Sequence, residues 1–212
     1  MMKLLNIPAL VASVLLSLTA LAQAQDVSDW LEPFPPHQVA GNLYYVGSKG
    51  LASYLVVTPE GHVLINSSLE ESPPLIRASV EKLGFKFTDI KILLISHAHS
   101  DHCAGSAEIV KATGAKYFVM EGDVAMVESG GGGARSRLKK DYDHFPPAKV
   151  DRVLKDGDEV KLGGSVLVAH LTPGHTAGCT TWTLQVKDGD KTLNAVIIGS
   201  PNVNPGYVLV GK

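Results

Sequence analysis

Cysteine is nearly absent: Cys103 and Cys179 are the two in 212 residues. So few thiols exclude a small fold stapled by a disulfide framework. Stability must come from a buried apolar core, and the 45% hydrophobic content is enough for one. Charge is sparse too, at 19% of residues and a formal net charge of −2. No basic excess is present to follow a phosphate backbone, which argues against nucleic acid as a partner. After the N-terminal stretch, no apolar run is long enough to cross a bilayer as a helix. There is also no GxSxG elbow to mark a serine nucleophile.

What is present begins with a leader. Lys3 precedes an apolar run from Leu4 to Leu21, and Ala22-Gln23-Ala24 is a small-x-small cleavage sequence. The pattern predicts a bacterial signal peptide over residues 1–24. A membrane anchor fits less well, because the run is short and no stop-transfer pattern follows. The mature chain, residues 25–212, is expected in a periplasm, free of the membrane once cleaved. It reads as one domain, or two small halves sharing a core. In an oxidising compartment the two cysteines could pair. A buried free thiol is the expected state of each.

Asp26 to Ala40 is a proline-rich lead-in whose Trp30 and Phe34 either cover a site or, on the simpler reading, pin the terminus. Strands are predicted at Leu43–Val46, Ser53–Val57 and His62–Ile65, the last two joined through Pro59-Glu60-Gly61. His62 reads as a solvated strand residue. Ser67 and Ser68 close that strand. A helix is predicted over Pro73–Leu83, with Ser72 as N-cap and Gly84 as its stop. A second covers Ser106–Thr113, and a helical turn spans Asp123–Glu128 after a strand at Tyr117–Met120. Gly130 to Gly133 and the basic run Arg135 to Lys140 form either a mobile flap or a solvated linker. His144 reads as an exposed loop residue. Strands follow at Arg152–Leu154, Glu159–Leu162, Val166–Leu171, Thr180–Val186 and Leu193–Ile198. His170, inside one of them, reads as structural. No amphipathic helix is apparent after Lys140, so a second sheet would lack a covering layer and the fold reads as cut short.

One stretch carries chemistry: His97-Ala98-His99-Ser100-Asp101-His102, directly after the apolar run Ile92 to Ile95. Imidazole and carboxylate together suit zinc. In extended chain His97, His99 and Asp101 would point one way and His102 another. Four donors this close cannot easily serve one tetrahedral ion. Two ions can share them, His97 and His99 on one, Asp101 and His102 on the other.

HAHSDH after a buried strand resembles the metal-binding signature of the metallo-β-lactamase superfamily. Gly174-His175-Thr176-Ala177-Gly178-Cys179-Thr180-Thr181-Trp182 resembles it as well, and the likeness runs from Val39 to Val210. Within the superfamily the chain looks most like class B β-lactamases of the third subclass. The resemblance implies an α+β fold, the αββα sandwich, with its second half incomplete here. It implies two zinc ions, and His175, in a turn between strands, becomes the third ligand of the first. For the second ion the family supplies a further histidine downstream that this chain lacks, so that site is expected to be weak. Cys103 departs from the small residue expected beside the loop.

The implied reaction is hydrolysis of the β-lactam amide of penicillins, cephalosporins and carbapenems. A water whose pKa zinc lowers to about 7 is the attacking group, and Asp101 orients it. Many relatives place a metal-bridging aspartate where Ser200 stands; the third-subclass enzymes resemble this chain in having serine there. Ser200 and Asn202 would then bind the substrate carboxylate, although turn chemistry alone also accounts for Asn202. The enzyme is expected to be a monomer. Two alternatives stand beside this reading: another exported hydrolase of the superfamily, such as a lactonase, and an inactive zinc-binding remnant.

Overall fold

The computed structural model of the protein describes residues 27–131 and 144–204. The leader, Gly132, Gly133, the basic run and residues 205–212 lie outside the described residues.

The strands are β1 His37–Ala40, β2 Leu43–Tyr45, β3 Tyr54–Thr58, β4 Gly61–Ile65, β5 Ile90–Leu94, β6 Lys116–Met120, β7 Arg152–Leu154, β8 Glu159–Leu162, β9 Ser165–Leu171, β10 Thr180–Asp188 and β11 Lys191–Ile197. The α-helices are α1 Pro73–Lys82, α2 Ser100–Cys103, α3 Ser106–Thr113 and α4 Val124–Ser129. β1 to β7 form one sheet in sequence order, antiparallel up to β4 and parallel beyond it. The second sheet runs β11-β10-β9-β8, all antiparallel. Arg152–Leu154, read with the second half, therefore belongs to the first sheet.

Alternation along β4 and β5 builds both cores at once. Val63, Ile65, Ile92 and Leu94 face the second sheet and meet Leu167, Trp182 and Leu184. Leu64 and Leu93 face the other way, onto Ile76 and Val80 of α1 and Ile109 of α3. Strands buried on both faces carry a near-continuous apolar run, which is why Ile92 to Ile95 reads so clearly. The layers are helices, first sheet, second sheet. Among the described residues no helix follows α4, Val166 and Val196 lie exposed on the second sheet, and Ile198 lies exposed just past its edge strand.

Several local readings change. His62 is not solvated: it is 5% exposed, because β4 is an interior strand and Phe85 packs edge-on at 5.4 Å. Ser72 precedes α1 but caps nothing, since its hydroxyl accepts the Leu69 N–H instead. β1 lies inside the stretch read as lead-in; as an exposed edge strand it carries no buried alternation. Trp30 does pin the terminus: its ring packs against Gly50, and Lys49 bridges Asp29 and Glu32. His170 is a structural contact, paired with the Thr183 hydroxyl at 2.8 Å, and His144 is exposed.

Candidate metal centre

β5 ends at Leu94, and the chain leaves the sheet carrying His97 and His99 before winding into α2. The floor is polar and fixed. Asn66, held at φ 68°, accepts the Ser96 N–H on its side-chain oxygen at 2.8 Å. Ser67 donates its backbone N–H to the His102 carbonyl at 3.0 Å, and Ser68 accepts from Gly105 N–H at 3.0 Å. A non-glycine residue at positive φ costs energy and persists only where its surroundings dictate it. Asn66 and Ser68 (φ 56°) are two such residues, directly beneath the loop.

His97, His99 and His175 converge, and so do His97, Asp101 and His102, with the donor atoms of each group within 4.8 Å of one another. The extended-chain reading fails at one point. Because residues 100–103 are helical, His102 turns back to the cluster, its ring 4.0 Å from that of His97. His97 thus belongs to both groups. His99 Nδ1 and His175 Nε2 lie 3.0 Å apart, close to the roughly 3.3 Å expected for two nitrogens on one tetrahedral zinc.

The fit to a cation is chemical as well as geometric. His97 is 2% exposed, and neither ring nitrogen meets hydrogen-bond geometry. Burial, reinforced by His102, His99 and His175, drives its pKa far below the ordinary histidine range; a backbone contact at Gly199 opposes this weakly. A neutral, desolvated imidazole with free lone-pair capacity is what zinc binds. Asp101 supplies an oxygen 3.6 Å from His102 Nε2.

Sequence reasoning missed two residues that hold this arrangement. Asp123, 3% exposed, accepts N–H bonds from Ala98 and Gly178 and the hydroxyl of Thr176. Burial raises its pKa and those bonds hold it down. It reads as the start of a helical turn, and nothing in its local sequence signals the contacts. Asn204 donates to the His175 carbonyl at 2.6 Å and, through its backbone, to Gly174 at 2.8 Å. The strand end after β11 therefore folds back over the His175 turn. Ser200 is half-buried in that segment, its hydroxyl accepting the Asn202 N–H at 3.2 Å, and Asn202 is exposed.

Residues 50–188 match the family model of the metallo-β-lactamase superfamily. The chain belongs to that superfamily. Among solved superfamily structures, native FEZ-1 metallo-β-lactamase from Legionella gormanii is 60% identical, with a TM-score of 0.80 over 84% of this chain and 68% of that one. BJP-1, a subclass B3 metallo-β-lactamase of Bradyrhizobium japonicum, is 42% identical, with a TM-score of 0.79 over 87% of this chain and 69% of that one. Curated relatives include a hydroxyacylglutathione hydrolase of Rhodopseudomonas palustris (strain BisB5), 32% identical over 67% of this chain. The chain spans 45% of that relative. The metallo-β-lactamase fold is thus the one the motif implied, and the described residues hold its two sheets and one helical layer.

Proposed function

We propose that the protein is an exported zinc β-lactamase of subclass B3 type. The observation that carries the reading is the 60% identity to native FEZ-1 across 84% of the chain, in a molecule whose histidine cluster converges. His97, His99 and His175 would hold one ion. Asp101 and His102, with His97 in reach, would hold a second. Zinc bound there supplies Lewis acidity and a water that loses its proton near neutral pH.

The protein's own groups then place the reactants. Asp101 accepts a hydrogen bond from the attacking water and turns its lone pair toward the lactam carbonyl. Ser200 and Asn202, at the strand end beside the cluster, bind the substrate carboxylate. The amide C–N bond breaks, the carbonyl carbon takes the oxygen of water, and the ring nitrogen leaves with a proton.

Thioester hydrolysis is the second reading, supported by the names of the curated relatives. Two features weigh against it: identity of 32% rather than 60%, and a serine at position 200, which cannot bridge metals as a carboxylate does. Nitrocefin and a hydroxyacyl-glutathione thioester, each assayed with and without a chelator, separate the two. Chelator-sensitive nitrocefin turnover with little thioester cleavage is expected; the reverse preference overturns the proposal. Periplasmic export predicts a mature N-terminus at Gln25, read by intact mass of the fractionated protein.

A further inference from the structure

We propose that Asp123 is a positioning residue whose carboxylate fixes the spacing of the three imidazoles by gripping both loops that carry them. The proposal rests on the metal reading of the histidine cluster. Oδ2 accepts the Ala98 N–H at 2.9 Å and the Thr176 hydroxyl at 2.7 Å, and Oδ1 accepts the Gly178 N–H at 2.8 Å. Ala98 stands between His97 and His99, and Thr176 directly follows His175. One side chain thus touches the backbone or nearest neighbour of every donor in the three-histidine group.

The contact has no slack. A Cβ on Gly122 would lie 2.5 Å from the Ala177 carbonyl carbon, and one on Gly178 would lie 2.6 Å from Asp123 N. The two backbones touch, and glycine on both sides lets the carboxylate reach across. Asn66 holds the first loop alone, and Asn204 the second alone. The Thr180 N–H to Ser96 carbonyl bond at 2.7 Å also joins the halves, but on the strand side of the rings. Asp123 is buried without an ion pair among the described residues. A desolvated carboxylate is costly to keep. Charge-assisted bonds are shorter and stronger than neutral ones, and this one group accepts three donors from two loops.

Groups that orient metal ligands typically govern affinity by ten- to a hundred-fold. Asp123→Asn keeps the shape but sets an amide NH2 against at least one of the three donors. Thr176→Val deletes one bond and leaves the carboxylate; Thr176→Ser restores the hydroxyl. Zinc affinity of each folded full-length protein would be measured by competition with a chromogenic chelator, well below the melting temperature. Visible spectra of the Co2+-loaded proteins would report ligand geometry. Asp123→Asn and Thr176→Val are expected to weaken zinc binding by about ten- to a hundred-fold and to alter the cobalt bands. Thr176→Ser should stay near the parent, and the double variant should lose less than the two single losses combined, because they break the same bond.

A folded Asp123→Asn with parental zinc affinity overturns the proposal while leaving the metal reading intact. Should that variant not fold, Thr176→Val decides on the same criterion, parental affinity again overturning it. A parent protein that binds no zinc overturns the metal reading, and this proposal with it.

Discussion

The indole N–H of Trp182 donates to the Ile95 carbonyl at 3.1 Å. That bond ties the middle of the second sheet to the residue where the chain leaves β5 for the metal loop. Trp182 is almost wholly buried and packs in the core between the sheets. Trp182→Ala is expected to cost about 3–5 kcal/mol, the usual result of emptying a large core site. Trp182→Phe fills most of the volume and loses the bond, which should cost about 1–3 kcal/mol. Urea unfolding monitored by circular dichroism gives both values. A phenylalanine variant as unstable as the alanine one would show that filling the volume contributes nothing here, contrary to the core-packing account.

Neither Cys103 nor Cys179 is in a disulfide, and both are buried. Burial pushes the Cys179 thiol up to about 11, so little thiolate exists at neutral pH. Ellman's reagent should therefore leave native protein unlabelled and titrate two thiols once urea is added. Zero thiols in urea would mean a disulfide, contrary to the structure.

What could be read from sequence, and what could not, divides along physical lines. β4, β5 and β10 announce themselves because burial on one or both faces writes apolar residues at fixed spacing. HAHSDH is legible because five of the ligand-type side chains needed sit in two short segments. Period-2 alternation points His102 away from the cluster because it does not anticipate the helical turn that begins at Ser100. His62 reads as solvated because a polar side chain does not reveal that its strand lies inside a sheet rather than at its edge. Asp123 and Asn204 were invisible for a different reason: their partners lie 25 to 55 and 29 residues away, and no local pattern encodes such a contact.

His97 is the donor shared by both groups. His97→Ala should therefore remove most bound zinc from each, whereas an Asp101 or His102 substitution should leave the three-histidine group loaded. Inductively coupled plasma mass spectrometry of protein reconstituted with zinc and then desalted measures the content. His144→Ala, exposed and remote in sequence, is the control and should match the parent. Zinc should also raise the melting temperature of the parent through mass action, and raise it little in His97→Ala. Unchanged zinc content in His97→Ala would remove His97 from the ligand set.

His62 gives a pH dependence separate from the metal. Burial is the main cause lowering its pKa; Lys91 lowers it further, and the Gly61 backbone and Asp89 oppose. In the unfolded chain the ring titrates near 6.5. Above that pH both states hold the neutral ring and the linkage is silent. As pH falls below about 6.5, the unfolded state takes up a proton that the folded state refuses, so stability drops until the folded pKa is reached. The slope from this one group is at most about 1.4 kcal/mol per pH unit. His62→Leu keeps an apolar side chain against Phe85 and cannot titrate. Zinc release from the ligand histidines contributes equally to both proteins, so the difference between them isolates His62. Unfolding free energies measured from pH 7.5 to 5.0 in saturating zinc should fall less steeply for His62→Leu than for the parent. Parallel curves would mean that His62 is protonated as readily in the folded protein as in the unfolded chain.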